Sequence, residues 1–415
     1  MGTLAVYSER AMLTATPAAP RVAPAPPRRR RPRAWSITVA AAVSVFGAAA
    51  ILAGLRLAVV PPVPAPAPVV TLTLPNPVAI PGTPPQLPWP AQGQAAVEVV
   101  GIGSLGASGT GRPAPIASVT KVMTAYVVLA DHPLAPGSDG PGITVSPADA
   151  AAYPAQVAAN ESLVRVTAGE VLTERQALAA LLLPSADNIA QILARWDAGT
   201  TSAFLAKMNA TAGRFGMADT RYTDPSGLDK GTVSTAADQV KLAEQAMRVP
   251  ALAELVALPQ ATIPVAGTVT NYNTLLGHDG IVGIKTGSTL AAGGCLVFAA
   301  KVRVGGRDLM ILGAVLGQAG PLAKLLPLVL GASQKLVQTA AAAVGPHVVV
   351  HAGDVVGKVG DRTSLVAAQD LMVLGWPGLA VPATAHVTVP RSAAAGATVG
   401  IVEVGGTTAS VRTRG

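Results

Sequence analysis

The chain has 415 residues, half of them hydrophobic and 13% charged, which is the composition of a globular protein and not of a disordered one. Its formal charge of +8 is concentrated at one end, because residues 1–33 contain seven arginines and a single acid. The rest of the chain is close to neutral and poor in aromatic residues, so it lacks the basic face of a nucleic-acid-binding protein. The single Cys295 excludes an internal disulfide.

The first predicted element is a membrane-spanning helix over residues 34–55, an uncharged run of 22 residues that is long enough to cross a bilayer. Five arginines precede it between positions 28 and 33, and the positive-inside rule therefore places residues 1–33 in the cytoplasm as a tail rich in Arg and Pro. The sequence predicts a single-pass protein of the cell membrane whose remaining residues lie outside the cell. A cleaved signal peptide is the alternative, but the long segment before the apolar run favours an uncleaved anchor.

A proline-rich linker is predicted over residues 56–93. Residues 61–90 contain 12 prolines and no charge, a composition that favours extended polyproline II structure. At about 3.1 Å per residue such a segment would hold the next domain up to roughly 90 Å from the bilayer.

Residues 94–344 are predicted to form an α+β domain. A strand at 95–100 comes first, followed by a block of helices and then by a return to strands before a final helix. The helices are expected to begin at Ser118 and to continue at 173–183, 188–196 and 201–215, with a fifth that is capped within 234–238 and runs to about 247. The later strands are expected at 262–265, 283–286, 295–302 and 308–316, and the closing helix at 321–344.

Residues 345–415 are predicted to form a small C-terminal β domain, because valines alternate there with small or polar residues between frequent Gly and Pro. His347 and His351 have the i, i+4 spacing of a helical metal pair. On a strand, however, they lie roughly 13 Å apart, too far to share an ion. The sequence therefore predicts neither a metal site nor a cofactor.

The first cluster that indicates chemistry is the pair Ser118 and Lys121. At the start of a helix, residues three apart lie on one face, so the hydroxyl and the amine are expected to meet. A neutral lysine can take the proton of a serine hydroxyl as the oxygen attacks a carbonyl carbon. The alternative is a helix-capping serine beside a surface lysine.

Two further clusters follow at a distance. Ser185 stands after Pro184 at a break between two apolar helices, where it is either a second hydroxyl facing Lys121 or an ordinary helix N-cap. Lys285 and Thr286 end an apolar strand and suit a substrate carboxylate, while Gly287 allows a substrate backbone to approach closely. Each cluster is weak alone, but the three in this order describe a serine acyl-transfer site with a lysine base.

These residues resemble the D-alanyl-D-alanine carboxypeptidases, the low-molecular-mass penicillin-binding proteins. The resemblance covers about residues 94–320 and is found in five segments: PIASVTKVMT at 115–124, LPSA at 183–186, DPSGL at 224–228, STAAD at 234–238 and GIKTGST at 283–289. It implies the fold of a penicillin-binding or β-lactamase-like transpeptidase domain, with an antiparallel sheet and a helical block. Residues 345–415 match the C-terminal β domain of the family only loosely.

The resemblance also implies roles for individual residues. Ser118 corresponds to the nucleophile, Lys121 to the base and Ser185 to the proton relay. The strand residues Lys285, Thr286, Gly287 and Ser288 correspond to the substrate-binding edge, and the N–H groups of Ser118 and Ser288 to the oxyanion hole. The expected partners are peptidoglycan stem peptides and β-lactam inhibitors, with no cofactor and no nucleic acid.

Two departures from the family pattern concern the substrate-binding residues. Asp187 stands where the family usually has an Asn that contacts substrate and lysine, and Asn188 follows it. A carboxylate near Lys121 favours the charged lysine, so Asp187 is expected to lower or retune activity. In some relatives the position of Tyr272, between two asparagines, is an Arg that contacts the substrate carboxylate. Tyr272 cannot supply that positive charge.

The main hypothesis is that the protein is a serine-type carboxypeptidase that removes the terminal D-Ala from stem peptides through an acyl-enzyme on Ser118. A β-lactamase is a close alternative, and it needs a carboxylate-activated water. Glu161, Glu170 and Glu174 precede Ser185, but the sequence does not show whether any of them activates a water. A catalytically impaired wall-binding protein is the third reading, with Asp187 as the disabling change.

Overall fold

Two antiparallel sheets organise the part of the chain that the computed structural model describes, which is residues 69–135, 137–360, 363–390 and 393–414. The larger body contains a five-stranded sheet in the order β11-β12-β13-β3-β4. Its strands, in chain order, are β3 (Gln94–Val99), β4 (Gly103–Ser108), β11 (Ile281–Thr289), β12 (Gly293–Val304) and β13 (Arg307–Gln318).

Eight α-helices accompany this sheet within the described residues. They are α1 (Lys121–Asp131), α2 (Pro147–Ala158), α3 (Glu174–Leu182), α4 (Asp187–Ala198), α5 (Thr201–Arg214), α6 (Ala236–Met247), α7 (Pro250–Val256) and α8 (Leu325–Ala343). Short 3₁₀ turns, Ala117–Thr120 and Leu322–Lys324, precede α1 and α8. The order of one hairpin, a helical block and a return to the sheet confirms the predicted α+β class.

Both faces of the five-stranded sheet are covered, because side chains alternate between the two faces of each strand. On β12, Val297 and Ala299 pack in the core that holds most of the helical block, whereas Leu296 and Phe298 pack in the core that holds α8. The central strands are therefore buried on both sides. This arrangement fixes the strand β11, at one edge of the sheet, against the helical block.

The second sheet has six strands in the order β1-β15-β16-β21-β20-β19 and confirms the predicted β character of the C-terminal region. Its strands are β1 (Val70–Leu72), β15 (Val355–Val359), β16 (Thr363–Ala367), β19 (Ala383–Val387), β20 (Thr398–Val404) and β21 (Thr407–Thr413). Buried valines form its core, among them Val356, Val402 and Val411. The domain boundaries predicted at 94–344 and 345–415 stay a prediction.

Five two-stranded pairs complete the described structure. They join β2 (Val78–Ala79) to β18 (Ala380–Val381), β5 (Ala114–Pro115) to β8 (Val233–Ser234), β6 (Gly142–Thr144) to β7 (Val171–Thr173), β9 (Gln260–Ile263) to β10 (Gly267–Thr270), and β14 (Gly345–Val350) to β17 (Leu371–Gly375). The pair of β5 and β8 brings the chain just before Ser118 next to the chain that leads into α6.

The predicted linker differs from the structure at residues 70–79, which belong to the C-terminal sheet region. Val70 of β1 lies opposite Val359, and Val78 of β2 lies opposite Val381. Val78 and Ile80 are buried in the C-terminal core. The physical reason is that β-branched residues between the prolines gain burial and backbone hydrogen bonds at open strand edges, which a solvated polyproline segment lacks.

The predicted tail at 1–33 and helix at 34–55 lie outside the described residues, as do residues 56–68 of the predicted linker. No helix from residue 69 onward combines the length and the apolar character needed to cross a bilayer.

Candidate active site

Ser118 and Lys121 meet at the junction between the 3₁₀ turn and α1. The Nζ atom of Lys121 lies 2.9 Å from the Oγ atom of Ser118. Ala117 has a left-handed backbone with a φ of 47°, which is unusual for a residue with a side chain, and its carbonyl accepts a hydrogen bond of 2.8 Å from the Thr120 hydroxyl. The tight turn therefore presents Ser118 with its neighbouring lysine already oriented toward it.

The Lys121 amine is fully buried and has three acceptors around it. Besides Ser118, it donates to Oδ1 of Asp187 at 2.6 Å and to the carbonyl of Ser226 at 2.9 Å. An ammonium group has three N–H donors, and this set of acceptors satisfies all three. The contacts fix the position of the amine relative to the Ser118 hydroxyl.

Asp187 and Asn188 take different roles at the start of α4. The second oxygen of Asp187, Oδ2, accepts a hydrogen bond of 3.0 Å from the N–H of Ser162. Asn188 instead bonds both the N–H and the carbonyl of Val164, at 3.3 and 2.8 Å. The carboxylate therefore faces the lysine, whereas the amide fastens the loop around Ser162 and Val164.

Ser185 has a buried hydroxyl without a hydrogen-bond partner within the described residues. Its φ of 66° is left-handed, a conformation that costs about 1–3 kcal/mol for a residue other than glycine. The predicted alternative of an N-cap is wrong, because Ala186 occupies the N-cap of α4 and no side chain caps that helix. A strained residue with an unpartnered hydroxyl at a cleft is typical of a functional position.

The strand β11 supplies the opposite wall of the site. The Lys285 side chain is buried, and its Nζ atom donates to the carbonyl of Thr286 at 3.0 Å. Burial, and then the positive charge of Lys121, lower the pKa of Lys285 well below its usual value, while Asp187 opposes the shift. Among the described residues, no carboxylate contacts the Lys285 amine directly, whereas Asp187 contacts that of Lys121.

Gly287 allows β11 to pass directly beside the nucleophile. A Cβ atom at this position would lie 2.8 Å from the backbone nitrogen of Ser118 and 3.0 Å from that of Val119. Any side chain would therefore push the strand away from the turn. The first N–H groups of a helical turn have no partner within the helix. Here these are the N–H groups of Ser118 and Val119, which lie next to Gly287 of β11.

A narrow cleft between these walls brings together most of the sequence-predicted site residues. Its lining consists of Ser118, Ser162, Ser185, Tyr272, Thr286, Gly287, Ser288 and Leu326. The two lysines and Asp187 lie beneath this surface, since each is at most 2% exposed. The cleft wall is thus made of hydroxyl and apolar groups, with the charged groups directly behind it.

The loop at residues 224–228 is the segment DPSGL that resembles the family, but the sequence alone did not indicate its role in the site. Oδ2 of Asp224 accepts hydrogen bonds from the N–H groups of Ser226, Gly227 and Leu228 at 2.7 to 3.1 Å. Its Oδ1 accepts from the Thr232 hydroxyl at 2.6 Å. Asp224 thereby orders the turn whose Ser226 carbonyl contacts Lys121. Ser162 was also missed, because its contribution to Asp187 is a backbone group.

The three glutamates that precede Ser185 lie in different surroundings. Glu170 accepts hydrogen bonds from the N–H groups of Thr167 and Val265. Glu174 is buried at the start of α3, and burial raises its pKa to about 7. Burial and the charge of Asp187 raise the pKa of Glu161, so this residue senses the charges of the site. None of the three is among the residues that line the cleft.

Tyr272 lies at the rim of the cleft and is 42% exposed. Its backbone N–H donates to the carbonyl of Leu183 at 3.3 Å, so the segment between Asn271 and Asn273 packs against the end of α3. Within the described ranges, no group of three or more His, Cys, Asp or Glu side chains has the arrangement of a metal site.

Comparison with known proteins connects this geometry to a family. Residues 105–317 match the family model described as D-alanyl-D-alanine carboxypeptidase, peptidase family S11. A D-alanyl-D-alanine endopeptidase of Pseudomonas aeruginosa is 34% identical over 207 residues, which are 48% of this chain and 64% of the relative. A D-alanyl-D-alanine carboxypeptidase of Mycobacterium tuberculosis is 37% identical over 204 residues, which are 48% of this chain and 65% of the relative. The chain spans just under two thirds of the length of these two relatives.

Among solved structures, penicillin-binding protein 5 from Haemophilus influenzae has a similar fold, with a TM-score of 0.57 at 22% identity over 80% of this chain and 98% of that one. The likeness extends beyond the residues of the family match, so it shows the fold for more of the chain than the peptidase segment alone. Because the family model covers more than half of the chain, the resemblance seen in the sequence motifs is confirmed: the chain belongs to the S11 family of serine peptidases, the D-alanyl-D-alanine carboxypeptidases and endopeptidases.

Proposed function

We propose that the chain is a serine-type D-Ala-D-Ala carboxypeptidase that removes the terminal D-Ala from peptidoglycan stem peptides. The observation that carries the proposal is the contact of 2.9 Å between the Lys121 amine and the Ser118 hydroxyl, at the base of a cleft edged by β11. A nucleophile within hydrogen-bond reach of an oriented base is the signature of covalent catalysis.

In the proposed reaction, the Ser118 oxygen attacks the carbonyl carbon of the scissile amide while its proton passes to the neutral amine of Lys121. The N–H groups of Ser118 and Ser288 stabilise the oxyanion that forms. The C–N bond then breaks while Ser185 gives its hydroxyl proton to the departing D-Ala amine and takes in its place the proton that Lys121 received, so that Lys121 is neutral again. Water hydrolyses the resulting ester and regenerates Ser118.

Recognition of the terminal carboxylate is assigned to β11. Thr286 and Ser288 line the cleft, and the Lys285 side chain is buried beside them on the same strand. Because Tyr272 is neutral at the rim, the carboxylate depends on this strand for its contacts. Gly287 supports the proposal, since it allows a substrate backbone to lie along the strand edge.

The proposal also covers the location and the partners of the protein. The apolar run at 34–55 and the arginines before it support a membrane anchor with a cytoplasmic N-terminus and an extracytoplasmic peptidase. Peptidoglycan is the substrate in that location, and β-lactams are the expected inhibitors because they acylate the same kind of serine.

Endopeptidase activity is the second candidate, favoured by the 34% identity to the Pseudomonas aeruginosa endopeptidase. Such an enzyme cuts a D-Ala bond within a cross-link and not at a free terminus. The acylation step is the same for both activities, so the leaving residue distinguishes them.

The test uses the intact chain in detergent with a pentapeptide that ends in D-Ala-D-Ala and, in parallel, with a cross-linked peptide dimer. Release of D-Ala that disappears in Ser118→Ala supports the carboxypeptidase, whereas cleavage of the dimer alone supports the endopeptidase. Rapid turnover of a fluorescent penicillin without peptide cleavage would identify a β-lactamase. A folded protein that neither cleaves nor binds any of these would be the impaired wall-binding form.

A further inference from the structure

The acceptors around the Lys121 amine are not equivalent. Two are neutral oxygens, the Ser118 hydroxyl and the Ser226 carbonyl, and the third is the carboxylate of Asp187 at 2.6 Å. Both members of this ion pair are buried, with exposures of 0% and 3% for their side chains. A buried carboxylate in direct contact strongly favours the charged form of a lysine, because little solvent screens the interaction.

The charge on Lys121 decides whether it can act. A neutral amine has a lone pair that takes the Ser118 proton, so that the Oγ–C bond forms and the carbonyl electrons move to the oxyanion. An ammonium has no lone pair, and the same transfer from Ser118 cannot occur. In the ammonium form all three N–H groups have acceptors here, so the resting site holds the inactive protonation state well.

We propose that Asp187 is a positioning residue with two opposed effects on the reaction of Ser118. It holds Lys121 as an ammonium in the resting enzyme, and it stabilises the ammonium that forms when Lys121 accepts the Ser118 proton. The inference rests on the proposed function of the site, and it assigns to Asp187 the control of how acylation depends on pH.

Three other elements bring charged groups to this pair, and they act in different directions. Lys285 on β11 opposes the ammonium of Lys121, since two cations lie in one buried site. Glu161, in the loop before β7, interacts electrostatically with both Lys121 and Asp187 and adds negative charge. Asp224 is occupied by the backbone of its own turn and by Thr232. Asp187 is the one carboxylate among these groups that hydrogen-bonds the lysine amine.

The two effects of Asp187 produce pH profiles that cross. The carboxylate disfavours the neutral amine that accepts the Ser118 proton, but it also stabilises the ammonium that this transfer forms. With an amide in its place, more molecules are active at low pH, but the limiting rate at high pH is lower. An Asn oxygen that accepts from Ser162, as Oδ2 of Asp187 does, turns its NH₂ toward Lys121, which also favours the neutral amine.

The test measures the rate constant for acylation of the intact chain by a fluorescent penicillin between pH 5.5 and 10, in the wild type and in Asp187→Asn. We expect the midpoint of the variant's rate profile to lie at lower pH than that of the wild type. Near pH 6 the variant is then faster by about 3-fold or more, and near pH 10 it is slower. Profiles that coincide, or that differ by one constant factor at every pH, would overturn the inference.

Two further measurements support this test: a second variant for comparison, and the wild-type profile in case Asp187→Asn does not fold. Glu161→Gln removes a carboxylate that does not hydrogen-bond Lys121, so it shifts the midpoint in the same direction but by less. If Asp187→Asn does not fold, the wild type alone still tests the inference. Its acylation must rise about tenfold per pH unit below the midpoint, and a flat profile between pH 6 and 8 would contradict it. Labelling at no pH, in folded protein, would overturn the proposed function and the inference together.

Discussion

The two walls of the cleft each contain a buried lysine, but the groups that surround the two amines differ. On the helical wall, Lys121 has three acceptors, including the carboxylate of Asp187. On the strand wall, Lys285 donates to one backbone carbonyl, and its pKa is lowered by burial and by the charge of Lys121. The comparison shows that the acceptors around Lys121 can receive all three N–H groups of an ammonium, whereas the surroundings of Lys285 disfavour its charged form.

The largest effect is expected when the helical wall loses its cation. Lys121→Met leaves Asp187 buried without a counter-charge, and breaking a buried pair in this way costs about 3–5 kcal/mol. Acylation of Ser118 falls by about 10³-fold because its base is absent. Urea unfolding and penicillin labelling measure the two effects. The double variant Lys121→Met with Asp187→Leu is the control, since it removes both charges and should recover most of the stability. No recovery would mean that the pair is not the cause.

The second effect concerns the distance between the walls. Gly287→Ala places a methyl group 2.8 Å from the Ser118 nitrogen, so β11 and the turn must separate. A displacement of this kind lowers the acylation rate by about 10²-fold. The matched control is Gly331→Ala in the middle of α8, where a Cβ has open space and stabilises the helix by about 0.5–1 kcal/mol. Equal acylation rates in the two variants would show that the walls tolerate separation.

The third effect concerns two buried carboxylates, Asp187 and Glu174. Asp187 is paired with Lys121, whereas no cation among the described residues pairs with Glu174. Burial raises its pKa from 4.5 to about 7, so the folded state binds this proton more tightly than the unfolded state. The stabilisation is fully present below pH 4.5 and is lost as pH rises toward 7, a change of at most about 3 kcal/mol. Glu174→Gln should remove this slope from urea midpoints measured between pH 4.5 and 8. An unchanged slope would place the titration elsewhere.

The smallest effect is expected at the strand wall. Among the described residues no carboxylate pairs with Lys285, so Lys285→Met should leave the stability at pH 7 equal to or greater than that of the wild type, in contrast to Lys121→Met. Because the pKa of Lys285 is lowered on folding, its contribution to stability is complete above about pH 10.5 and decreases as pH falls. The advantage of the variant should therefore shrink between pH 7 and 10. A large loss of stability at pH 7 would contradict this difference between the walls.

Sequence reasoning predicted those parts of the site that depend on local spacing. The three-residue interval between Ser118 and Lys121 fixes their contact once a helical turn forms. The helix predicted at 173–183 is found as α3, and the structure shows why it starts there, since Thr173 and Gln176 form both reciprocal hydrogen bonds of a capping box. The strand at 283–286 was also predicted, although β11 runs from Ile281 to Thr289.

Other parts could not be predicted, because they depend on contacts between distant segments or on backbone groups. The carbonyl of Ser226 and the N–H of Ser162 contribute to the site through atoms that every residue has. The pairing of Val70 with Val359 joins positions far apart in the chain, and proline content alone indicated a linker there. The helix α2 was missed as well, since none of its residues is buried and no apolar stripe marks it.

The central claim is that Ser118 is the nucleophile and that Lys121 is its base. Mass spectrometry of the intact chain after incubation with benzylpenicillin, followed by peptide mapping, tests it most directly. We expect one covalent adduct per molecule, on Ser118, which is strongly reduced in Lys121→Met and unchanged in Gly331→Ala. An adduct on Ser162 or Ser185 in place of Ser118, or full modification of Ser118 in Lys121→Met at the wild-type rate, would contradict it.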